Sequence, residues 1–469
     1  ASANKELSEH YDVKLGSKKL AYVGSISLNQ FGDLRMGANG SDDYLRTFYV
    51  ERVNGKDVVR DNPDPLIQLN SAYSQLNLLQ KLAFKPTEHL EFTYASHYSK
   101  TSPYDRYDRL LRTRNDLPRS AEGYYGPQIW SMHHFKMSYN KANKLFDYVE
   151  LNIAYQFIEE SRIDRDFGDN ITNRKIEQVD AITTSLDFSK KLNENMQLFY
   201  GIDGAFNLVN STGLIGEFGN PNFEKGAARY PNSTWLSVGA YASLRSKLSE
   251  IVHIETGLRY THFDLNAHFD TTFFPLPFTQ SINNQGATTW SAGVVIDPTQ
   301  NLKLSTNIST GFRFPNVDDI GKIFDSEPGA VVVPNPNLQA EYVYSGDVGL
   351  GYIFKKNLRL DFSTYYTYLD NAMVRRDFTL NGQDSIVYSG EMSKVQAIQN
   401  AANAIVYGYQ IGSELKLSNS VSVSSRFSNQ NGTEELEDGS TDRLRHAAPW
   451  FGLTTVSYAY KKLLIQAYS

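Results

Sequence analysis

The sequence predicts an all-β fold, an antiparallel transmembrane β-barrel, and three observations predict it. Apolar residues recur at every second position in segment after segment, the connections between segments alternate between short and long, and no apolar run reaches the length of a membrane helix. Period two marks a strand with two different faces, and about nine to eleven such residues cross a bilayer when the strand is tilted. A soluble sandwich or propeller would show shorter strands without systematic alternation of connection length.

The alternation begins with Leu20, Tyr22, Gly24, Ile26 and Leu28. It returns as Leu76, Leu78, Leu82 and Phe84, as Leu90, Phe92 and Tyr94, and as Val149, Leu151, Ile153, Tyr155 and Phe157. Met196 to Ile202, Val252 to Tyr260, Trp290 to Ile296, Leu302 to Ile308, Tyr342 to Phe354, Leu358 to Tyr368 and Ile405 to Ile411 continue it. Short connections such as Gly16 to Lys19, Lys85 to His89, Ser246 to Glu250, Phe354 to Asn357 and Leu417 to Ser420 hold turn formers at hairpin length. Long ones run from Gln30 to Leu69, Thr101 to Gln128, Ile158 to Lys175, Asn210 to Ser233, Asn266 to Ala287, Gly311 to Ala340, Asp370 to Ala402 and Asn429 to Pro449. Tight turns on one rim and long loops on the other describe an outer-membrane barrel with the long loops outside the cell. Aromatic residues beside the expected turns, among them Tyr11, Phe84, Phe157, Phe188, Phe354 and Tyr458, fit a headgroup-level girdle.

Composition narrows the chemistry. The 469 residues include Tyr 30, Phe 26 and Cys 0, which excludes a disulfide framework, a zinc ribbon, an iron–sulfur cluster and a thiol nucleophile. A net charge of −6 gives no footprint for nucleic acid. Mean hydropathy is −0.44, which a barrel with a wet lumen shares with a soluble protein. The polar start, Ala1-Ser2-Ala3-Asn4, has no signal-peptide core. The expected barrel domain occupies residues 1–469 with about 18 strands, and Leu463 to Ser469 begins a strand that nothing here closes. Open strand edges are disfavoured in lipid, so the barrel is expected to be incomplete at its C-terminal end.

One loop carries a recognisable signature. Phe312-Arg313-Phe314-Pro315-Asn316 with Asp318-Asp319, then Pro334-Asn335-Pro336-Asn337-Leu338 and Glu341, resembles the paired "FRAP" and "NPNL" motifs of TonB-dependent outer-membrane receptors, above all the haem receptor branch. Asp33 to Gly37, Arg106 to Leu110, Tyr124 to Gln128 and Glu159 to Arg162 are similar to Bacteroidetes members of that family. The resemblance implies a complete 22-stranded barrel filled by an amino-terminal plug. On that template the plug is missing from this chain. It also implies import of a scarce ligand, haem or a ferric siderophore, driven by the TonB–ExbB–ExbD complex. Outer-membrane lipid and lipopolysaccharide, and a surface lipoprotein, are the further partners it implies; no intrinsic cofactor is implied. Two departures bear on the ligand: Phe314 stands where the motif has Ala, and Gly321 to Val333 lacks the His that haem receptors often place between the motifs.

Candidate ligand groups concentrate in the loops. Arg106, Arg109, Arg112, Arg114 and Arg119 share one external loop with Tyr104, Tyr107, Tyr124 and Tyr125. Guanidinium groups bind carboxylates in pairs and rings stack on planar ligands, so this loop suits an anionic ferric siderophore or haem propionates. Pairing with Asp105, Asp108 and Asp116 would instead fold the loop on itself. Arg106, Tyr107, Arg109, Tyr124, Tyr125 and Arg313 are the expected ligand-facing set, with Arg313 expected to hold its loop rather than touch ligand. His262, His268 and His446 lie near the expected mouth and are the weak candidates for a metal, whereas the adjacent His133 and His134 must face opposite ways. The acidic clusters Asp164, Asp166, Asp169 and Glu434, Glu435, Glu437, Asp438 lack the full pattern of a calcium loop and read as solvated faces. No phosphate-cradling loop, dinucleotide fingerprint, zinc-protease helix or serine triad stands out, so an enzyme is not expected. The rival readings from the sequence are a passive diffusion channel and a structural or scaffold subunit of a larger outer-membrane assembly.

Overall fold

In the computed structural model the described residues are 4–327, 329–355, 357–388, 390–436, 439–444 and 450–469. Eighteen wall strands follow one another among them. The first six are β1 (Leu7–Gly16), β2 (Leu20–Phe31), β3 (Tyr73–Phe84), β4 (Leu90–Thr101), β5 (Ile129–Tyr139) and β6 (Tyr148–Asp166). Next come β7 (Ile171–Asn193), β8 (Met196–Glu217), β9 (Asn232–Lys247), β10 (Val252–His268), β11 (Gln280–Thr299) and β12 (Leu302–Arg313). The last are β13 (Glu341–Phe354), β14 (Leu358–Asp377), β15 (Glu391–Lys416), β16 (Val421–Glu435), β17 (Trp450–Tyr460) and β18 (Leu463–Tyr468). Each pairs antiparallel with the next. Within the described residues no helix is long and apolar enough to cross a membrane.

Register converts the alternation into a belt. Val252, Ile296, Leu304, Leu350, Phe362, Ile411 and Phe427 stand opposite one another across β10 to β16, so their side chains share one face. Leu350, Phe362, Ile411 and Phe427 are exposed, as an outward apolar band in lipid requires. On the rim of tight turns, Phe146 packs on Phe188, and Phe188 stacks on Tyr200 with centroids 4.9 Å apart.

The opposite face is polar, and its long side chains reach sideways. Arg259 on β10 donates from both terminal nitrogens to Asp203 on β8, at 2.6 and 2.7 Å, crossing over Gly239 of the intervening β9. A Cβ on Gly239 would lie 2.1 Å from Nη2 of Arg259, so the glycine is what opens this path. Tyr241 on β9 likewise lies over Gly201 of β8 to donate to Asp187 of β7.

Several loops expected from the sequence are strand instead. Ile158 to Lys175 is a continuation of β6 and β7 with only a short turn at residues 167–170, and β8 runs on through Gly213 to Glu217. β7 has 23 residues, about twice the length a bilayer-crossing strand needs, so these strands extend the wall well beyond such a span. Above the apolar band the rule of faces inverts. Phe263, Leu265 and Ala267 on β10 point inward and are fully buried, covered by Ile320 and Leu338 of the 314–340 connection. That connection folds inward, and its strand Ala330–Val333 pairs parallel with the start of β15.

Candidate functional site

The inward fold of the 314–340 connection rests on the two motifs. Asn316 and Asp319 form reciprocal caps, at 3.0 and 2.9 Å, that start the short helix α1 (Val317–Gly321). Arg313 ties this turn to the wall, donating to Asp319 at 2.8 Å and to Glu341 at 2.7 Å. Phe314 stacks on Phe263 at 4.5 Å, so the departure from the family motif fills the packed layer. In the second motif Asn335 donates to the Ile398 carbonyl at 2.7 Å and its Oδ1 accepts from the Asn337 amide at 3.1 Å. Leu338 is buried in the core, Pro315 is fully buried, and the Pro336 carbonyl accepts from Ser281. The motif residues therefore hold each other and the wall.

Past Gly321 the chain reaches a different environment. Lys322, Ile323 and Phe324 form one side of a cavity of about 350 Å³ whose other sides come from the 101–128 loop, the tall ends of β6 and β7, and the turn before β9. Nine cations line it: Arg106, Arg109, Arg112, Arg114, Arg119, Arg162, Lys175, Arg229 and Lys322. Four carboxylates, those of Glu122, Asp164, Asp166 and Asp169, line it as well. Five further carboxylates pair with these cations from outside the lining of this vestibule, Asp108 with Arg106 and Arg109, Glu391 with Arg114, Glu160 and Glu177 with Arg162, and Asp318 with Lys322. The inner surface thus presents mainly guanidinium and ammonium donors with part of their counter-charge behind them. Burial, with the neighbouring Arg112 and Arg106, pushes the Arg109 guanidinium below its ordinary value.

The expected ligand-facing residues divide. Arg106 and Arg109 line the vestibule. Arg106 pairs with Asp108 at 2.8 Å and stacks on Tyr125 at 4.8 Å, and Arg162 lies over the same ring at 5.4 Å. Tyr125 is thus held between two guanidinium groups, with Tyr104 against it at 5.4 Å. Tyr107 opens a four-residue helical turn, Tyr107–Leu110, and is exposed outside the vestibule lining. Tyr124 faces a neighbouring cavity, and Arg313 lies in the motif layer rather than in the vestibule.

The histidines do not converge. His262 and His268 alternate with the inward Phe263, Leu265 and Ala267, so they occupy the outward face and not the lumenal reach expected of them. His446 lies outside the described residues, as do Glu437 and Asp438. His133 meets Tyr94 at 2.7 Å and His134 meets Asn152 at 3.2 Å, on opposite faces of β5. Among the described residues no group of three metal-ligating side chains occurs.

Arg162, Lys175, Arg229 and Lys322 join the vestibule without having been selected from the sequence. Strand parity could have found the first two, since Arg162 on β6 and Lys175 on β7 stand opposite each other and share one face. Arg229 and Lys322 have no such signal, because tertiary folding of separate loops brings them there.

Comparison with known proteins places this geometry in a family. The family model described as "TonB dependent receptor-like, beta-barrel" matches residues 40–465. The chain is similar to the copper transporter OprC, with 12% identity and a TM-score of 0.74 over 99% of this chain and 65% of that one. It is similar to the ferric yersiniabactin uptake receptor FyuA of Yersinia pestis, with 13% identity and a TM-score of 0.65 over 98% and 66% of the two chains. It is also similar to the hemophore receptor HasR of Serratia marcescens, solved as a double mutant with its hemophore HasA and heme, with 13% identity and a TM-score of 0.66 over 98% and 72%. The chain thus spans slightly less than two thirds of the first two structures. No curated protein sequence matches it.

Proposed function

Because this chain belongs to the TonB-dependent receptor-like β-barrel family, we propose that it is the barrel of a Bacteroidetes-type outer-membrane receptor that captures an anionic metal complex, haem or a ferric siderophore, and passes it inward at the expense of TonB–ExbB–ExbD. The complete receptor is read as a 22-stranded barrel around a plug, and its activity as transport rather than catalysis. The cationic vestibule carries the proposal. Nine cationic side chains line one space among the long loops, where a ligand arriving from outside would meet a dense set of charged hydrogen-bond donors. Guanidinium forks suit carboxylates, catecholates and haem propionates alike. The outward apolar belt supports the membrane setting.

The test is equilibrium binding of haemin, a ferric tris-catecholate and a neutral ferric hydroxamate to the purified receptor and to the Arg109→Gln, Arg229→Gln double variant. The expected result is preference for the charged complexes and a loss of about tenfold or more in the variant, since each charge-assisted hydrogen bond contributes on the order of a factor of ten. Equal binding of charged and neutral complexes, unchanged in the variant, overturns it.

A further inference from the structure

The vestibule adjoins a space of another character. Ala227, Arg229 and Ile323 line it and also line a smaller cavity of about 130 Å³, so the two meet along one seam. Three connections supply apolar groups to the smaller cavity, among them Phe269, Phe273, Phe274, Leu276, Ile323 and Tyr388. Two polar groups of the lining are engaged with partners outside it. The Tyr230 hydroxyl donates to Asp318 at 2.8 Å, and Asp270 accepts from Lys225 at 2.7 Å and from the Thr272 amide at 3.0 Å. Water held there would find few partners, whereas an apolar cavity of about 150 Å³ admits benzene. A ring-sized apolar group is what this space fits.

Arg229 stands on the seam. Its guanidinium lies over the Tyr230 ring at 5.1 Å and forms no ion pair among the described residues. Arg106, Arg114, Arg162 and Lys322, by contrast, each have a carboxylate of their own. The cation common to both spaces is thus one that an incoming carboxylate can engage without displacing a partner. On the far side of it the exposed ring of Phe273 faces the loops rather than a packed core.

Resting on the reading of the vestibule as an anion site, we infer that its ligand is an amphiphile, with carboxylates on the vestibule cations, Arg229 included, and a ring-sized apolar edge in the cavity of Phe273 and Phe274. Charge alone then does not select the ligand. An anion polar on every side fills the vestibule and leaves the second cavity unused. It forgoes about a factor of four in affinity for each methylene-sized group that is not buried.

The test is equilibrium titration of the purified full-length receptor with two iron porphyrins that differ at one edge, haemin with vinyl groups there and coprohaem with propionates in their place. A purely electrostatic site prefers coprohaem, which carries more carboxylates. The amphiphile site prefers haemin by about tenfold or more, the effect of burying at least two further carbon groups. Phe273→Ser, which strips the exposed ring from the wall, and Ala228→Leu, which fills the cavity from a position outside the vestibule lining, are each expected to bring that ratio toward unity. Partition of porphyrin into detergent is common to all variants and cancels when their ratios are compared. Coprohaem binding as tightly as haemin overturns the amphiphile while the anion reading stands, and so does a preference for haemin that neither cavity variant moves. Porphyrin binding untouched by Arg109→Gln with Arg229→Gln removes the anion reading itself, and the amphiphile with it.

Discussion

Arg165 and Asp57, separated by 108 residues, meet in a two-point contact, Nη1 to Oδ2 at 2.8 Å and Nη2 to Oδ1 at 3.0 Å. Their side chains are 2% and 1% exposed. The Gly168 amide and Arg52 also donate to Asp57, and Arg165 and Arg52 both lie over the ring of Phe218. This knot fastens the hairpin Phe48–Val53 and Lys56–Asp61 to the turn between β6 and β7.

Removing one side of this pair should release the hairpin. Asp57→Ala leaves the buried Arg165 with only the Asp169 carbonyl at 2.7 Å and Glu122 at 3.7 Å, at a cost of about 1–3 kcal/mol. Limited proteolysis should show new cleavage between residues 48 and 61 with the barrel intact. An unchanged digestion pattern would show that the knot contributes little.

Two carboxyls in this region give opposite pH responses. Burial pushes Asp57 up, but hydrogen bonds from Arg165, Gly168 and Arg52 outweigh it and hold the group at about 2. Its stabilising contribution is therefore complete above the ordinary 3.8 and lost as pH falls toward 2. Asp105 is pushed by burial up to about 6, so between its ordinary 3.8 and that value the folded chain holds a proton the unfolded chain has released, and stability declines as pH rises through this window. Hydrogen-exchange protection of the two loops should thus be greatest at mildly acidic pH. Asp105→Asn should remove the decline toward neutrality and leave the acid limb in place.

In the wall, Gly239→Ala should push Arg259 away from Asp203. Loss of the paired contact is expected to cost about 1–3 kcal/mol, read as a lower denaturant midpoint of the barrel. Gly239→Ala combined with Asp203→Asn should add little to either change alone, since both remove one interaction.

Leu338→Ala should open the motif layer. A buried leucine truncated in a packed layer costs about 2–5 kcal/mol, and the expected result is protease sensitivity within residues 314–340 while the strands remain resistant. Arg313→Gln should act in the same direction, because it cuts the ties to Asp319 and Glu341 together. Fragmentation of the whole barrel by Leu338→Ala would contradict the separation of layer and wall.

Vestibule binding should weaken with salt. Charges near water are screened over about 10 Å at 0.1 M ionic strength, so affinity for a charged iron complex should fall steadily as salt is raised. The Arg109→Gln, Arg229→Gln variant should show a shallower dependence.

The wall was legible in the sequence because a strand with lipid on one face and water on the other must alternate. Strand order, the tight turns and the count of strands all follow from that constraint. Where the wall leaves the membrane the constraint disappears. Phe263, Leu265 and Ala267 keep the alternation with the opposite meaning, since a folded-in loop covers their face. Loops such as 158–175 read as irregular because their polar residues, Glu159, Glu160 and Arg162, are those of a strand wet on both sides. The arginine loop was visible as a run of charge, yet half of the vestibule was not. Arg229 and Lys322 arrive from connections far apart in the chain, and no local pattern records such a meeting.

The sideways reach of Arg259 has a consequence for anything moving down the lumen. Where the wall's cations are matched one to one with acids, as in Arg259 with Asp203, Lys136 with Glu150 and Arg245 with Glu255, each presents a dipole rather than a lone charge. The field of a dipole fades with distance faster than that of a monopole, so a passing anion meets shallow undulations instead of wells. The vestibule differs, because nine cations and four carboxylates line one space and the cationic groups stand side by side. On the proposed function, passage requires entry that is favourable and departure that is easy, and the vestibule and the paired wall below it would divide these tasks.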